Sequence, residues 1–109
     1  MSGKFPTFYR KRKSTTMIIL VKFLESVQEI TGQQEISVKI GKGDTVHTVL
    51  FALAYNYGHD FYAVTIGDES ETPKIRIMLN GRDIGYLDGF ETDVKSGDVL
   101  VLSSQETLP

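Results

Sequence analysis

The chain of 109 residues contains no cysteine, which excludes disulfides, thiolate metal sites and cysteine nucleophiles and leaves the redox compartment open. Long hydrophobic runs are also missing. Residues 17–21 form a run of five and residues 49–55 a run of seven, whereas a helix that crosses a bilayer needs about 20 apolar residues. No secretory signal pattern accompanies either run. From these absences we expect a soluble, cytoplasmic protein that does not contact a membrane.

Acidic and basic side chains nearly cancel over the whole chain, at a net charge of −2, but they are unevenly distributed. Residues 1–16 contain five of the twelve basic residues and no acidic one. Residues 17–109 therefore hold seven basic and all fourteen acidic residues, a net charge of −7. Because an acidic body repels phosphate backbones, only the basic segment could favour nucleic acid.

The composition, with 40% apolar or aromatic residues, suits one domain with a single core. We predict a disordered basic leader over residues 1–16, a folded domain over 17–104 and a flexible C-terminal tail over 105–109. Three interpretations of the leader remain open. The leader could be an unstructured segment or the product of an upstream start codon, a basic arm that contacts an acidic partner or nucleic acid, or an expression remnant.

The first half of the folded part shows strand and helix periods in turn. Residues 17–23 alternate between two largely apolar faces, which predicts a central strand. Residues 25–31 predict a short helix that Gly32 ends, and residues 34–40 alternate polar and apolar side chains as a second strand does. The clearest helix follows, with its apolar positions at Val46, Val49, Leu50, Leu53, Ala54 and Tyr57, and it closes at Gly58.

The second half contains an apolar island at residues 61–66, an acidic loop at 67–73 and then a hairpin. The hairpin follows from Asn80-Gly81, the strongest short-range reversal signal, which comes after the strand that begins at Ile75. An apolar final strand begins at Val99. Two hairpins flank one long helix, and the first and last strands are the most apolar. This order predicts an α+β, β-grasp fold in which those two strands lie parallel at the centre and the helix packs across the sheet.

Several short motifs, in one order and spacing, resemble the molybdopterin synthase small subunit (MoaD) and the ThiS-type sulfur carriers. They are Glu29-Ile-Thr-Gly32, Gly43-Asp-Thr-Val46, Leu79-Asn-Gly-Arg-Asp-Ile84, Leu87-Asp-Gly89 and Gly97-Asp-Val99. The resemblance implies a ubiquitin-like sulfur carrier of molybdenum cofactor biosynthesis. It also implies two kinds of partner: an activating enzyme of the E1 type, which adenylates the terminal glycine carboxylate, and the large subunit of a molybdopterin synthase.

The printed tail differs from that family where the chemistry takes place. Its last residues are Thr107, Leu108 and Pro109, and no adjacent glycine pair occurs anywhere in the sequence. Glycine is needed in the family because the tail threads a narrow tunnel in which any Cβ would collide. We therefore expect a non-catalytic docking protein that does not form a thiocarboxylate. A functional sulfur carrier and a nucleic-acid-associated module that uses residues 10–13 remain alternatives.

The resemblance implies that the sheet face away from the helix contacts the partner, and we assign the contact to Ile18, Leu20, Leu100 and Leu102. Phe51 and Tyr55 lie on the helix face opposite its apolar stripe. Two interpretations of that aromatic pair remain open: a second contact for a partner, or a small second core over residues 61–66.

No residue set predicts intrinsic catalysis, so we expect no enzyme activity and no cofactor. His47 and His59 stand twelve positions apart without an acidic residue at metal-binding spacing, and we predict no metal site. Arg82 and Asp83 follow the Asn-Gly turn and are expected to be solvated. The sequence from Gly41 to Thr45 lacks the phosphate-loop frame and reads as the turn that begins the long helix.

Overall fold

The computed structural model describes residues 16–67 and 75–104. Its strands are β1 (Met17–Phe23), β2 (Glu35–Ile40), β3 (Ile75–Leu79), β4 (Arg82–Asp83) and β5 (Val99–Ser104), and its helices are α1 (Ser26–Thr31), α2 (Val46–Tyr57) and α3 (His59–Thr65). Two short 3₁₀ turns, Ile84–Tyr86 and Gly89–Glu91, connect β4 to the last strand. Most of the predicted leader, the acidic loop and the predicted tail (residues 1–15, 68–74 and 105–109) lie outside the described residues.

The five strands form one sheet in the order β2-β1-β5-β3-β4. The first and last strands are parallel neighbours, with Leu20 opposite Val99 and Phe23 opposite Leu102. The strands β2 and β3 pair antiparallel with β1 and β5, respectively. This arrangement is the predicted β-grasp, and it places the two most apolar strands in the middle of the sheet, where both of their edges are hydrogen-bonded.

The core lies between one face of the sheet and the helices. It contains alternate residues of β1, β3 and β5 together with the apolar stripe of α2, Val27 of α1 and Phe61 of α3. The predicted stripe of α2 is confirmed: Tyr57 is partly buried against the core, and the other five positions are buried, namely Val46, Val49, Leu50, Leu53 and Ala54. Thr45 begins this helix with a reciprocal cap, in which its hydroxyl accepts from the backbone N–H of Thr48 and the Thr48 hydroxyl accepts from the N–H of Thr45.

The apolar island is a helix, α3, which the sequence analysis did not assign. Gly58, at φ 95°, separates it from α2, and seven residues are too few for a clear period in the sequence. Tertiary packing stabilises it. Phe61 is completely buried and meets Phe23 edge-on, with 6.2 Å between the ring centroids, and the Thr65 hydroxyl donates to the Phe61 carbonyl at 2.7 Å. None of the helices in the described ranges is long and apolar enough to cross a membrane.

The Asn80-Gly81 reversal joins β3 to β4 as predicted. Both residues have positive φ, 53° and 84°, which a two-residue hairpin turn of this kind requires. The Asn80 side chain also fixes the start of β5, because its oxygen accepts from the Val99 backbone N–H at 2.9 Å and its amide donates to Asp98 at 3.0 Å. The turn therefore holds the last strand in register as well as closing the hairpin.

Candidate functional site: the outer face of the sheet

The face of the sheet that points away from the core carries an apolar patch, which we call the outer face. It consists of Ile18, Leu20, Met78, Val99 and Val101. The register makes the patch continuous across three adjacent strands, because Leu20 stands opposite Val99 and Met78 stands opposite Val101. Ile18 is 41% exposed, and the other four side chains are half-buried.

Charged and polar side chains border the outer face. On β2, Lys39 stands opposite Ile18 and Glu35 stands opposite Lys22. On β3, Arg76 stands opposite Ser103. A protein interface commonly has an apolar centre that excludes water and a polar rim that orients the partner. The outer face has this arrangement, an apolar centre with a charged and polar border, within a single sheet.

The prediction that Leu100 and Leu102 lie on this face is wrong. Both side chains are completely buried in the core. Their neighbours Val99 and Val101 point outward instead, because side chains alternate between the two faces of a strand and the pairing of β5 with β1 sets the phase. Ile18 and Leu20 are on the outer face as predicted, and whether the face binds a partner stays a prediction.

A second exposed apolar feature runs along α2, which we call the aromatic ridge. It consists of His47, Phe51 and Tyr55, spaced one helical turn apart. Phe51 is 57% exposed and Tyr55 is 90% exposed. The His47 ring stacks on Phe51, with 6.1 Å between centroids and 17° between planes, and Phe90 meets the same imidazole edge-on at 6.2 Å.

Beside the ridge lies an open groove of about 360 Å³ between α2 and α3, lined by Phe51, Ala54, Tyr55, Gly58, His59 and Tyr62. The interpretation that Phe51 and Tyr55 belong to a second small core is wrong, since both are exposed. The residue that packs the island into the protein is Phe61, which contacts Phe23 and Tyr57 in the main core.

Glu25 and Ser26 bind the end of β5, and neither was predicted as a site residue. The Ser104 backbone N–H donates to Glu25 Oε1 at 3.0 Å. The Ser26 backbone N–H donates to Ser104 Oγ at 3.2 Å, and the two serine hydroxyls share a hydrogen bond of 2.6 Å. No local pattern could have revealed these contacts, because their partners are 78 or 79 positions apart in the chain.

The other polar candidates are structural. Asp83 Oδ1 accepts from the Gly85 backbone N–H at 2.8 Å and so initiates the following 3₁₀ turn. Burial raises the pKa of the Tyr57 hydroxyl above its ordinary value, and this hydroxyl donates to Gln33 Oε1. Within residues 16–67 and 75–104, no group of three histidine, aspartate or glutamate side chains is arranged to hold a metal ion.

The family model that matches the chain is that of the ThiS family, and it covers residues 21–102. This range includes most of the sheet and all three helices, so the chain belongs to the ThiS family. The family consists of ubiquitin-like sulfur carriers and modifiers, as the motifs around Asn80-Gly81 had indicated.

Individual relatives agree with this placement. The chain is 29% identical to small archaeal modifier protein 3 of Haloferax volcanii over 85 residues, which cover 77% of this chain and 90% of the relative. The solution structure of small archaeal modifier protein 1 of Methanosarcina acetivorans superimposes with a TM-score of 0.67 at 26% identity, covering 86% of this chain and 98% of the other. The solution structure of another Haloferax volcanii protein superimposes at 0.70, also at 26% identity, covering 86% and 88%.

Proposed function

We propose that this protein docks on a larger protein partner through the outer face of its sheet, without catalysing a reaction itself. The observation that supports this function is the continuous apolar patch on β1, β5 and β3, bordered by Lys39, Glu35 and Arg76. An exposed apolar patch of this kind on a small domain marks an interaction site. The partner class that family membership suggests is an E1-like activating enzyme or the large subunit of a molybdopterin synthase-type complex.

A second candidate function is the sulfur-carrier role itself, and membership of the ThiS family favours it. Both functions use the same docking surface and differ in the chemistry of the C-terminus. The printed sequence ends in Leu108-Pro109, and the prediction that these residues do not suit a thiocarboxylate stays a prediction, because they lie outside the described residues.

Docking is tested by titrating the protein into the activating enzyme from the same organism and measuring heat or fluorescence. Leu20→Asp places a charge in the apolar patch and should weaken binding by about 100-fold, as expected for a hot spot of an interface. Ala52→Asp is the matched control, because it introduces the same side chain at an exposed position of α2 and should change the affinity by less than about threefold. Equal affinity of Leu20→Asp and the parent protein would refute the proposal.

The two candidate functions are separated by mass spectrometry of the intact protein after incubation with activating enzyme, ATP and a sulfur donor. Docking alone leaves the mass unchanged. A carrier gains the mass difference between sulfur and oxygen at its C-terminal carboxyl group. This gain would replace the non-catalytic docking function with that of a carrier and would leave the assignment of the outer face intact.

A further inference from the structure

Glu25 has a backbone conformation that its side chain does not favour. Its φ is 56° and its ψ is −127°, close to the first central position of a type II′ turn, where glycine is the preferred residue. The turn is closed by the hydrogen bond from the Val27 N–H to the Leu24 carbonyl, at 3.1 Å. A residue with a Cβ is strained in this region, and such strain persists where the surrounding contacts impose it.

The Glu25 side chain does not compensate for the strain by capping the helix that follows. Glu25 is the N-cap residue of α1, yet its carboxylate makes no cap hydrogen bond. Its Oε1 accepts instead from the Ser104 backbone N–H in the last described residue of β5. The strained residue is therefore used to bind the end of another strand.

The sheet itself explains why Ser104 needs this contact. The strand β1 hydrogen-bonds with β5 as far as the Leu24 N–H, which donates to the Leu102 carbonyl at 2.9 Å, and then turns away. Ser104 is still paired with Ile75 of β3 on its other edge. The Glu25 carboxylate supplies the acceptor that a continuing β1 would have provided, and Ser26 binds the Ser104 hydroxyl beside it.

We propose that Glu25 and Ser26 are positioning residues, which hold Ser104, the last described residue of β5, in a fixed place at the end of the sheet. The Glu25 carboxylate fixes the Ser104 backbone N–H, and Ser26 fixes the Ser104 hydroxyl. The use of this device rests on the proposed docking function: when the end of β5 is already ordered, docking of a partner against it costs less conformational entropy.

Three substitutions at Glu25 separate positioning from ordinary stabilisation. Glu25→Ala keeps the strained backbone and removes the acceptor. Glu25→Gly removes the acceptor as well but relieves the strain, so it should melt about 4 to 8 °C higher than Glu25→Ala. Glu25→Gln retains an oxygen acceptor and is the conservative control. If Glu25 served stability alone, Glu25→Gly would keep its function, because relief of the backbone strain offsets the loss of the acceptor.

The direct readout is hydrogen exchange and ¹⁵N relaxation of the Ser104 amide in the isolated full chain. We expect exchange to accelerate at least tenfold in Glu25→Gly and Glu25→Ala and to stay within about threefold of the parent in Glu25→Gln. An unchanged Ser104 amide in Glu25→Gly would overturn the proposed clamp. This measurement needs no partner, so it is independent of whether the outer face docks.

The role in docking is tested with the activating enzyme as the probe. Glu25→Gly should bind it about three- to tenfold more weakly than the parent, because the loosened end of β5 must be ordered on binding, and Glu25→Gln should restore the affinity. Parent-like affinity in a glycine variant whose Ser104 amide is mobile would overturn that role. If Leu20→Asp bound as tightly as the parent, the docking function would fail while the Ser104 result would stand.

Discussion

The outer face and the aromatic ridge are both exposed and apolar, but they differ in shape and in their charged surroundings. The outer face extends over three strands and is bordered by Lys39, Glu35 and Arg76. The ridge follows a single helix, and none of the twelve residues of α2 is acidic or a lysine or arginine. Charged groups at the edge of an interface steer the partner and fix its orientation. Apolar exposure alone therefore does not identify a docking surface. The sheet has charged side chains at the border of its apolar patch, so it is a better candidate for docking than the helix.

The largest effect is expected on β5, where buried and outward side chains alternate. Leu100→Ala should reduce the free energy of unfolding by about 2 to 5 kcal/mol, because it empties a completely buried position. Val101→Ala, one residue further along β5 and half-buried, should cost about 1 kcal/mol or less. Urea unfolding followed by circular dichroism measures both. Similar losses of unfolding free energy in the two variants would mean that the outward side chains of β5 contribute to stability as much as the buried ones.

An intermediate effect is expected at the start of α2, which carries the ridge. Thr45→Ala removes the acceptor for the Thr48 N–H and should lower stability by about 1 kcal/mol. Thr45→Ser keeps the hydroxyl and should restore most of that loss. Loss of the cap should accelerate amide exchange in the first turn of α2, which contains His47, and not on the outer face. Equal acceleration on β1 and β5 would show that the two regions do not move independently.

The ridge itself should contribute little to docking. The double variant Phe51→Ser, Tyr55→Ser removes the two exposed rings and should change the affinity for the activating enzyme by less than about twofold. Its unfolding free energy should stay within about 1 kcal/mol of the parent, since both positions are exposed. The same titration that tests Leu20→Asp measures it. A tenfold loss would transfer the docking site from the sheet to the helix.

The smallest effect concerns the C-terminal end of α2 and appears at high pH. The folded protein holds the Tyr57 proton more tightly than the unfolded chain, because burial raises the pKa of this hydroxyl from 10.0. The stability linked to this group is complete below pH 10 and declines as the pH rises through the folded-state value. Tyr57→Phe should therefore lose less stability than the parent between neutral pH and pH 11. Parallel pH profiles in urea unfolding would contradict the shift.

The sequence by itself determined the features that are encoded locally. The alternation of residues 17–23, the helical stripe from Val46 to Tyr57 and the Asn80-Gly81 turn each follow from contacts within a few positions. Their order sufficed to predict the β-grasp, and the short motifs around Asn80-Gly81 supplied the resemblance to the ThiS-type family. The same local signals were too short to reveal that residues 59–65 form a helix.

The tertiary structure decided which side of β5 is buried and what holds its end. Residues 99–102 are all apolar, so their pattern has no phase, and only pairing with β1 and β3 turns Leu100 and Leu102 inward and Val99 and Val101 outward. The contact between Glu25 and Ser104 joins residues 79 positions apart. It exists because the parallel pairing of the first and last strands brings these two distant segments together, and no local sequence rule encodes that proximity.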